Sequence, residues 1–230
     1  MKYKIADIIL SMDPDAKTKE RGRKYEYYGD LDVQMVIDTP TYEMYSSQNR
    51  ECSFNEYEHS VRGLYFYRQL IDFDGLMLHA SAIVVDGKAY LFSAPSGTGK
   101  STHTGKWLEM LGNKAFILND DKPAIRILDD DIYAYGTPWS GKYDISENVV
   151  AKLQGICFLT RDNENWIRRM PPMQAFSRLF HASLRNLTKE QSEKECQLIT
   201  KMISRISIYE MGCTPTIDAA KMAYEVMSKL

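Results

Sequence analysis

The stretch Ala94-Pro95-Ser96-Gly97-Thr98-Gly99-Lys100-Ser101 constrains this chain more than any other. It follows the apolar run Ala89–Phe92 and opens a segment that reads as a helix over Lys100–Leu111. A strand, a glycine-rich turn and a helix beginning at Lys-Ser form a phosphate cradle. Backbone N–H groups of the loop and of the helix N-terminus surround a triphosphate, the lysine reaches its outer phosphates, and the serine hydroxyl ligates Mg²⁺. The candidate nucleotide-binding residues are Pro95, Ser96, Gly97, Thr98, Gly99, Lys100, Ser101 and Thr102. The full pattern G-x-x-x-x-G-K-S/T wants glycine where this chain has Ala94. Alanine disfavours positive φ, so the loop is expected to enter with ordinary backbone angles at residue 94 and to turn at Gly97 and Gly99. The competing reading is a glycine-rich turn before an ordinary helix.

Asn119-Asp120-Asp121 is the second chemical signal, at the end of the apolar run Ala115–Leu118. After a buried strand in such a protein, one carboxylate holds Mg²⁺ opposite the loop serine and a second can do acid–base work. Neighbours on a strand point to opposite faces, so both reach the phosphates only if the backbone turns there, as Lys122-Pro123 permits. A solvated acidic turn is the alternative. Asp129–Asp131, by contrast, reads as a hairpin turn.

Two later segments add cations. Gly136–Lys142 is a loop with one aromatic, Trp139, and one cation, Lys142, able to stack on a base or contact a phosphate, or simply a hairpin end with a buried tryptophan. Arg161, Arg168 and Arg169 bracket Asp162–Asn165. The bland reading is a polar turn; otherwise Arg161, just past a strand end, stabilises transferred charge or docks an anionic substrate.

A length of 230 residues suffices for one large domain, and 44% hydrophobic with 26% charged residues is ordinary for a soluble globular protein. A formal net charge of −2 leaves no electrostatic footprint for nucleic acid. The apolar run Ile5–Leu10 is interrupted by Asp7, and no stretch is long enough to span a bilayer, so no membrane partner and a cytoplasmic location are expected. Cys52, Cys157, Cys196 and Cys213 are scattered and form no zinc set with the four histidines; reduced, mostly buried thiols are expected.

Residues 1–74, rich in tyrosine and charge, read as a small α+β part, either separate from the core or continuous with it. Tyr3–Leu10 reads as a strand, Asp13–Lys24 as a polar, mobile connection, Leu31–Ile37 as a second strand, and Glu56–Ile71 as a helix with Asn55 as cap. Residues 75–230 read as the nucleotide-binding domain. Leu76–Val85 and Lys88–Ser93 flank Asp86-Gly87, a strong hairpin signal that gives the loop-bearing strand an antiparallel neighbour. Ala115–Leu118 and Gly155–Leu159 read as strands, Ala124–Leu128 with Ile132–Tyr135 as a hairpin, and Arg205–Met211 as a late strand. Met173–Leu184, Thr188–Ile203 and Ile217–Leu230 read as helices. The sum is an α/β fold with a mixed sheet and flanking helices.

The hairpin before the loop and the early aspartate pair resemble the HPr kinase/phosphorylase family and its structural relative phosphoenolpyruvate carboxykinase. The residues that carry the resemblance are Met77-Leu78-His79-Ala80-Ser81, Ser96–Ser101 and Asn119-Asp120-Asp121. It implies a P-loop core of that type, with His79 near the phosphates, Lys100 and Ser101 serving nucleotide and metal, Asp120 as catalytic base and Asp121 as metal ligand. By pattern alone, His79 reads as an ordinary core histidine. His103, just inside the helix, either approaches the nucleotide or lies on the helix surface, and His59 and His181 carry no signal. The second, arginine- and glycine-rich signature of the family is not recognisable, and residues 1–74 do not resemble its regulatory domain. The resemblance implies an ATP- and Mg²⁺-dependent kinase that phosphorylates a hydroxyl, first of all a serine of a protein or peptide. The alternatives are a small-molecule kinase acting on an acceptor such as free serine or a carboxylic acid, a carboxykinase-like enzyme, and an ATP-binding sensor or accessory module without catalysis. The family forms oligomers, so a homo-oligomer is compatible with the resemblance.

Overall fold

The computed structural model describes residues 1–47 and 51–229. Lys88–Ser93 (β6) is buried at every position from Ala89 to Ser93, as a strand covered on both faces must be. It pairs antiparallel with Ala80–Val85 (β5) across a turn at Asp86 and Gly87, whose φ values of 48° and 76° suit a two-residue hairpin. On its other side it runs parallel to the long strand Val150–Arg161 (β10). The sheet is therefore mixed. Its order is Gly75–Met77 (β4), Ala124–Leu128 (β8), Asp131–Tyr135 (β9), β10, β6, β5 and Ala115–Asn119 (β7). Ser207–Cys213 (β12) adds to the far half of β10 and carries Trp166–Arg169 (β11) antiparallel to it.

Alternate residues of the central strands feed two apolar layers. Leu91 and Ile156 point to the layer closed by Pro172–Ala182 (α5) and Lys189–Ile203 (α6), through Leu179, Leu198 and Met202. Tyr90, Phe92 and Cys157 point to the other, closed by Lys100–Leu111 (α4) and Ile217–Met227 (α7), through Trp107 and Ala220. A third cluster joins Tyr3, Phe66 and Tyr67 to Tyr135 and Trp139, so residues from both halves of the chain share one core.

Several expectations need correcting. Tyr3–Leu10 is not one strand but a hairpin, Lys2–Ile5 (β1) with Ile8–Ser11 (β2), because Ala6 and Asp7 both take positive φ. The expected strand Leu31–Ile37 is reduced to Met35–Val36 (β3), parallel to β2. Asp13–Lys24 is not a connection, since it contains the helix Ala16–Gly22 (α1), whose Thr18 is buried and donates to Glu58 at 2.6 Å. Beyond Tyr42–Ser46 (α2), the long helix is Phe54–Leu70 (α3), capped by Ser53 rather than Asn55: Ser53 and Glu56 bond reciprocally in a capping box. The run Leu76–Val85 breaks at Leu78-His79, where the amides turn to Pro123 and Ala182 instead of a strand partner. The segment Asp162–Asn165 is a polar turn, as expected, and it leads into β11, a strand that the sequence reading did not include. Of the four thiols only Cys157 is buried. Leu230, at the end of the last expected helix, lies outside the described residues.

Candidate active site

The loop between β6 and α4 turns where glycine permits it. Gly97 and Gly99 have φ values of 76° and 120°, and a Cβ at either would meet nothing within 4 Å, so the need for glycine is conformational rather than steric. Ala94 takes ordinary backbone angles, and its methyl group joins Phe92 and Cys157 in the core. That packing accounts for alanine at the first loop position. No side chain caps α4, which leaves its first amides available to an anion.

Lys100, at the first turn of α4, is buried, and its Nζ donates to the Ala94 carbonyl at 2.9 Å. Burial lowers its pKa, with the nearby Asp121 carboxylate opposing that shift. His79 Nε2 lies 3.3 Å from Lys100 Nζ and 3.1 Å from Asp121 Oδ1. One imidazole nitrogen thus links the lysine to the carboxylate, accepting from the first or donating to the second according to its protonation.

The aspartates are presented by a turn that Asn119 makes. Its side-chain carbonyl accepts from the amides of Asp121 and Lys122 at 2.9 and 2.7 Å, and its amide donates to Thr137. The strand ends there, so Asp120 and Asp121 face the same space. Asp120 Oδ1 accepts from the Gly141 amide at 2.6 Å. Burial raises its pKa; the Gly141 bond opposes that, and the charge of Asp121 adds to it. Asp121 goes the other way: burial pulls upward, but the bond from His79 and the Lys122 ammonium outweigh it and hold the carboxyl well below its usual range. Two neighbouring carboxyls thus have opposed acidities.

His79, Ser96, Gly97, Gly99, Lys100, Ser101, Thr102, Asp120, Asp121 and Lys142 line one cavity of about 290 Å³ with Gly141 and Tyr143. Pro95 and Thr98 face adjoining cavities instead. Arg161 grips the loop from outside, donating to the carbonyls of Gly97 and Thr98, the latter at 3.2 Å. Arg168 and Arg169 are exposed, and Arg168 pairs with Glu210. The Trp139 ring is buried and stacks on Phe66 at 4.8 Å, so it is a core residue and not a platform for a base. His103 is not on the helix surface: it is buried, accepts from the Trp107 indole and borders an adjoining cavity beside Thr102 and Lys106.

Sequence reasoning missed Arg21. From α1 it donates to the carbonyls of Ser140 and Gly141, both at 3.2 Å, and pairs with Asp144 at 3.3 Å. No local pattern marks a residue whose partners lie about 120 positions away.

No protein-family model and no curated protein sequence matches the chain. Among the described residues, no helix is long and apolar enough to cross a membrane. Among solved structures, the chain is distantly similar to the Hpr(Ser) kinase/phosphatase from Coxiella burnetii, with a TM-score of 0.40 and 10% identity, over 66% of this chain and 97% of that one.

Proposed function

We propose that this chain transfers the γ-phosphoryl group of ATP to a hydroxyl in a Mg²⁺-dependent reaction. The observation that supports the reading is the convergence of Asp120 and Asp121 on one cavity with Lys100 and Ser101, their acidities driven apart by their surroundings. A carboxyl made more basic suits proton abstraction, and one held ionised suits a cation.

In this reading the phosphates lie along the loop from Ser96 to Thr102. Lys100 moves from the Ala94 carbonyl to their outer oxygens. The acceptor oxygen attacks the γ-phosphorus, its proton passes to Asp120, and the electrons of the broken P–O bond leave with ADP. His79 orients Lys100 and Asp121, and Arg161 keeps the loop in shape through its carbonyls. Ser101 and Asp121 offer hard oxygen ligands of the kind Mg²⁺ accepts alongside phosphate and water, and the bound cation would neutralise charge on the β- and γ-phosphates. Among the described residues no group of three His, Cys, Asp or Glu side chains is placed to hold a metal ion by itself. The nucleoside is assigned to an adjoining cavity of about 590 Å³ bordered by Thr98, Thr102, Lys106, Asn163 and Thr216.

Nucleotide binding by the wild type and by Lys100→Ala tests the cradle: equal ATP affinity in both overturns it. Phosphoryl transfer separates a kinase from a nucleotide-binding sensor, since Asp120→Asn keeps ATP binding and loses transfer only if there is transfer to lose.

A further inference from the structure

Beside the phosphate cavity lies a second, of about 620 Å³, and the two share Asp121, Gly141 and Lys142 as a common wall. The opposite wall comes from residues 1–74: Lys17 and Arg21 of α1, and Glu56, His59 and Ser60 of α3. Leu64, Met77 and Trp139 supply an apolar floor. Four cations, Lys17, Arg21, Lys122 and Lys142, face this space against two carboxylates, Glu56 and Asp121.

The pairing inside the cavity leaves positive charge over. Lys17 meets Glu56 only at 3.8 Å, Arg21 is held by Asp144 and two carbonyls, and Lys122 pairs with Asp121. Lys142 has no carboxylate partner among the described residues and lies 5.9 Å from the Tyr143 ring centre. The His59 ring registers the same field: burial first, then the charges of Arg21, Lys17 and Lys122, push its pKa down to about 3. A concave site with excess cations concentrates anions, and this volume falls in the range of small-molecule sites.

We propose that this second cavity is the acceptor site, and that the acceptor is a small hydroxy compound carrying a carboxylate or phosphate rather than a serine of a protein chain. The inference rests on the kinase reading above. The hydroxyl faces the shared wall, where its oxygen forms the new bond to the γ-phosphorus and its proton passes to Asp120 while ADP leaves. The anionic group faces Lys17, which borders this cavity alone. On this view the helices α1 and α3 are the substrate-recognition part of the protein.

The test is calorimetric binding to the full chain saturated with Mg²⁺ and a non-hydrolysable ATP analogue. The probes are D-glycerate, glycerol 3-phosphate, glycerol and a serine-containing hexapeptide. Either anion is expected to bind at least about tenfold more tightly than glycerol, the two anions distinguishing carboxylate from phosphate recognition. Lys17→Glu should weaken anion binding by about tenfold or more and leave affinity for the ATP analogue within about twofold. Glu56→Gln, which keeps the α3 capping box, should tighten anion binding. Anions that bind no better than glycerol, a Lys17→Glu protein that binds them as well as wild type, or a hexapeptide that binds more tightly than either anion would each overturn the proposal. Equal ATP affinity in wild type and Lys100→Ala overturns the kinase reading instead; normal ATP binding without anion preference overturns this inference alone.

Discussion

Arg21 holds the Gly141 carbonyl at 3.2 Å, and the Gly141 amide holds Asp120 Oδ1 at 2.6 Å. A residue of the first helix is therefore one backbone step from the proposed catalytic base. Its positive charge also lowers the Asp120 pKa directly, against the upward pull of burial.

Arg21→Ala removes that charge and loosens the loop, and both changes make Asp120 harder to ionise. The acid limb of kcat/KM against pH should move to higher pH, so that activity lost on the acid side of the profile is recovered as the pH is raised. A merely structural role would lower the plateau and leave the limb in place.

Asp120→Asn should cut transfer by about 10²- to 10⁴-fold, measured as ADP formation at saturating ATP. The same change should raise the Tm at neutral pH. Because burial raises the folded-state pKa of Asp120, its ionised form costs the native state free energy there, and asparagine removes the charge.

Asp121 has the opposite sign. Its folded-state pKa is depressed, so its stabilising contribution is complete above the unfolded carboxylate value of about 4 and is lost as the pH falls toward the folded value. Asp121→Asn should flatten the acid side of the Tm-against-pH curve and raise the Mg²⁺ concentration that half-saturates the reaction.

Lys100→Met should abolish the rise in Tm that ATP produces while moving the Tm of the ligand-free protein by less than about 3 °C. The lost bond to the Ala94 carbonyl is offset by relief of a cation that burial disfavours. Thermal melts with and without nucleotide check both halves of the statement.

Arg62 and Glu58 on α3 are fully buried and paired, and Glu58 also accepts from the Thr18 hydroxyl and the Asp15 amide. Arg62→Ala leaves a carboxylate buried without its partner and should cost about 3–5 kcal/mol. Because this network anchors α1, the loss should reach Arg21 and then the site. We further expect residues 1–74 to unfold in one transition with the rest, since Phe66 and Tyr67 share a core with Tyr135 and Trp139. Urea denaturation followed by two probes, one in each part, would reveal separate transitions if the parts were independent.

Wherever the signal was local, the sequence could be read. The helix Lys100–Leu111, the hairpin at Asp86-Gly87 and the strand Lys88–Ser93 have the expected bounds, because periodicity and turn residues act over a few positions. The hairpin at Ala6-Asp7 went unread because Ile5–Leu10 looks like one apolar run with a single interruption. The helix Ala16–Gly22 went unread because its reason to form is distant: Thr18 is held by Glu58, and Gly22 lies so close to Tyr3 that a Cβ there would sit 3.1 Å from the ring.

The sequence by itself determined the chemistry-bearing residues: a loop that must turn at Gly97 and Gly99, a lysine and serine at a helix start, and two carboxylates after a buried strand. Tertiary structure alone decided how they relate. The Asn119 turn brings both aspartates to one face, burial raises the pKa of Asp120 while His79 and Lys122 hold Asp121 ionised, and α1 closes the neighbouring cavity with cations. The reason is physical. Turn and helix preferences are local free energies, whereas a carboxyl's acidity is set by burial and by charges that the chain brings near only once it has folded.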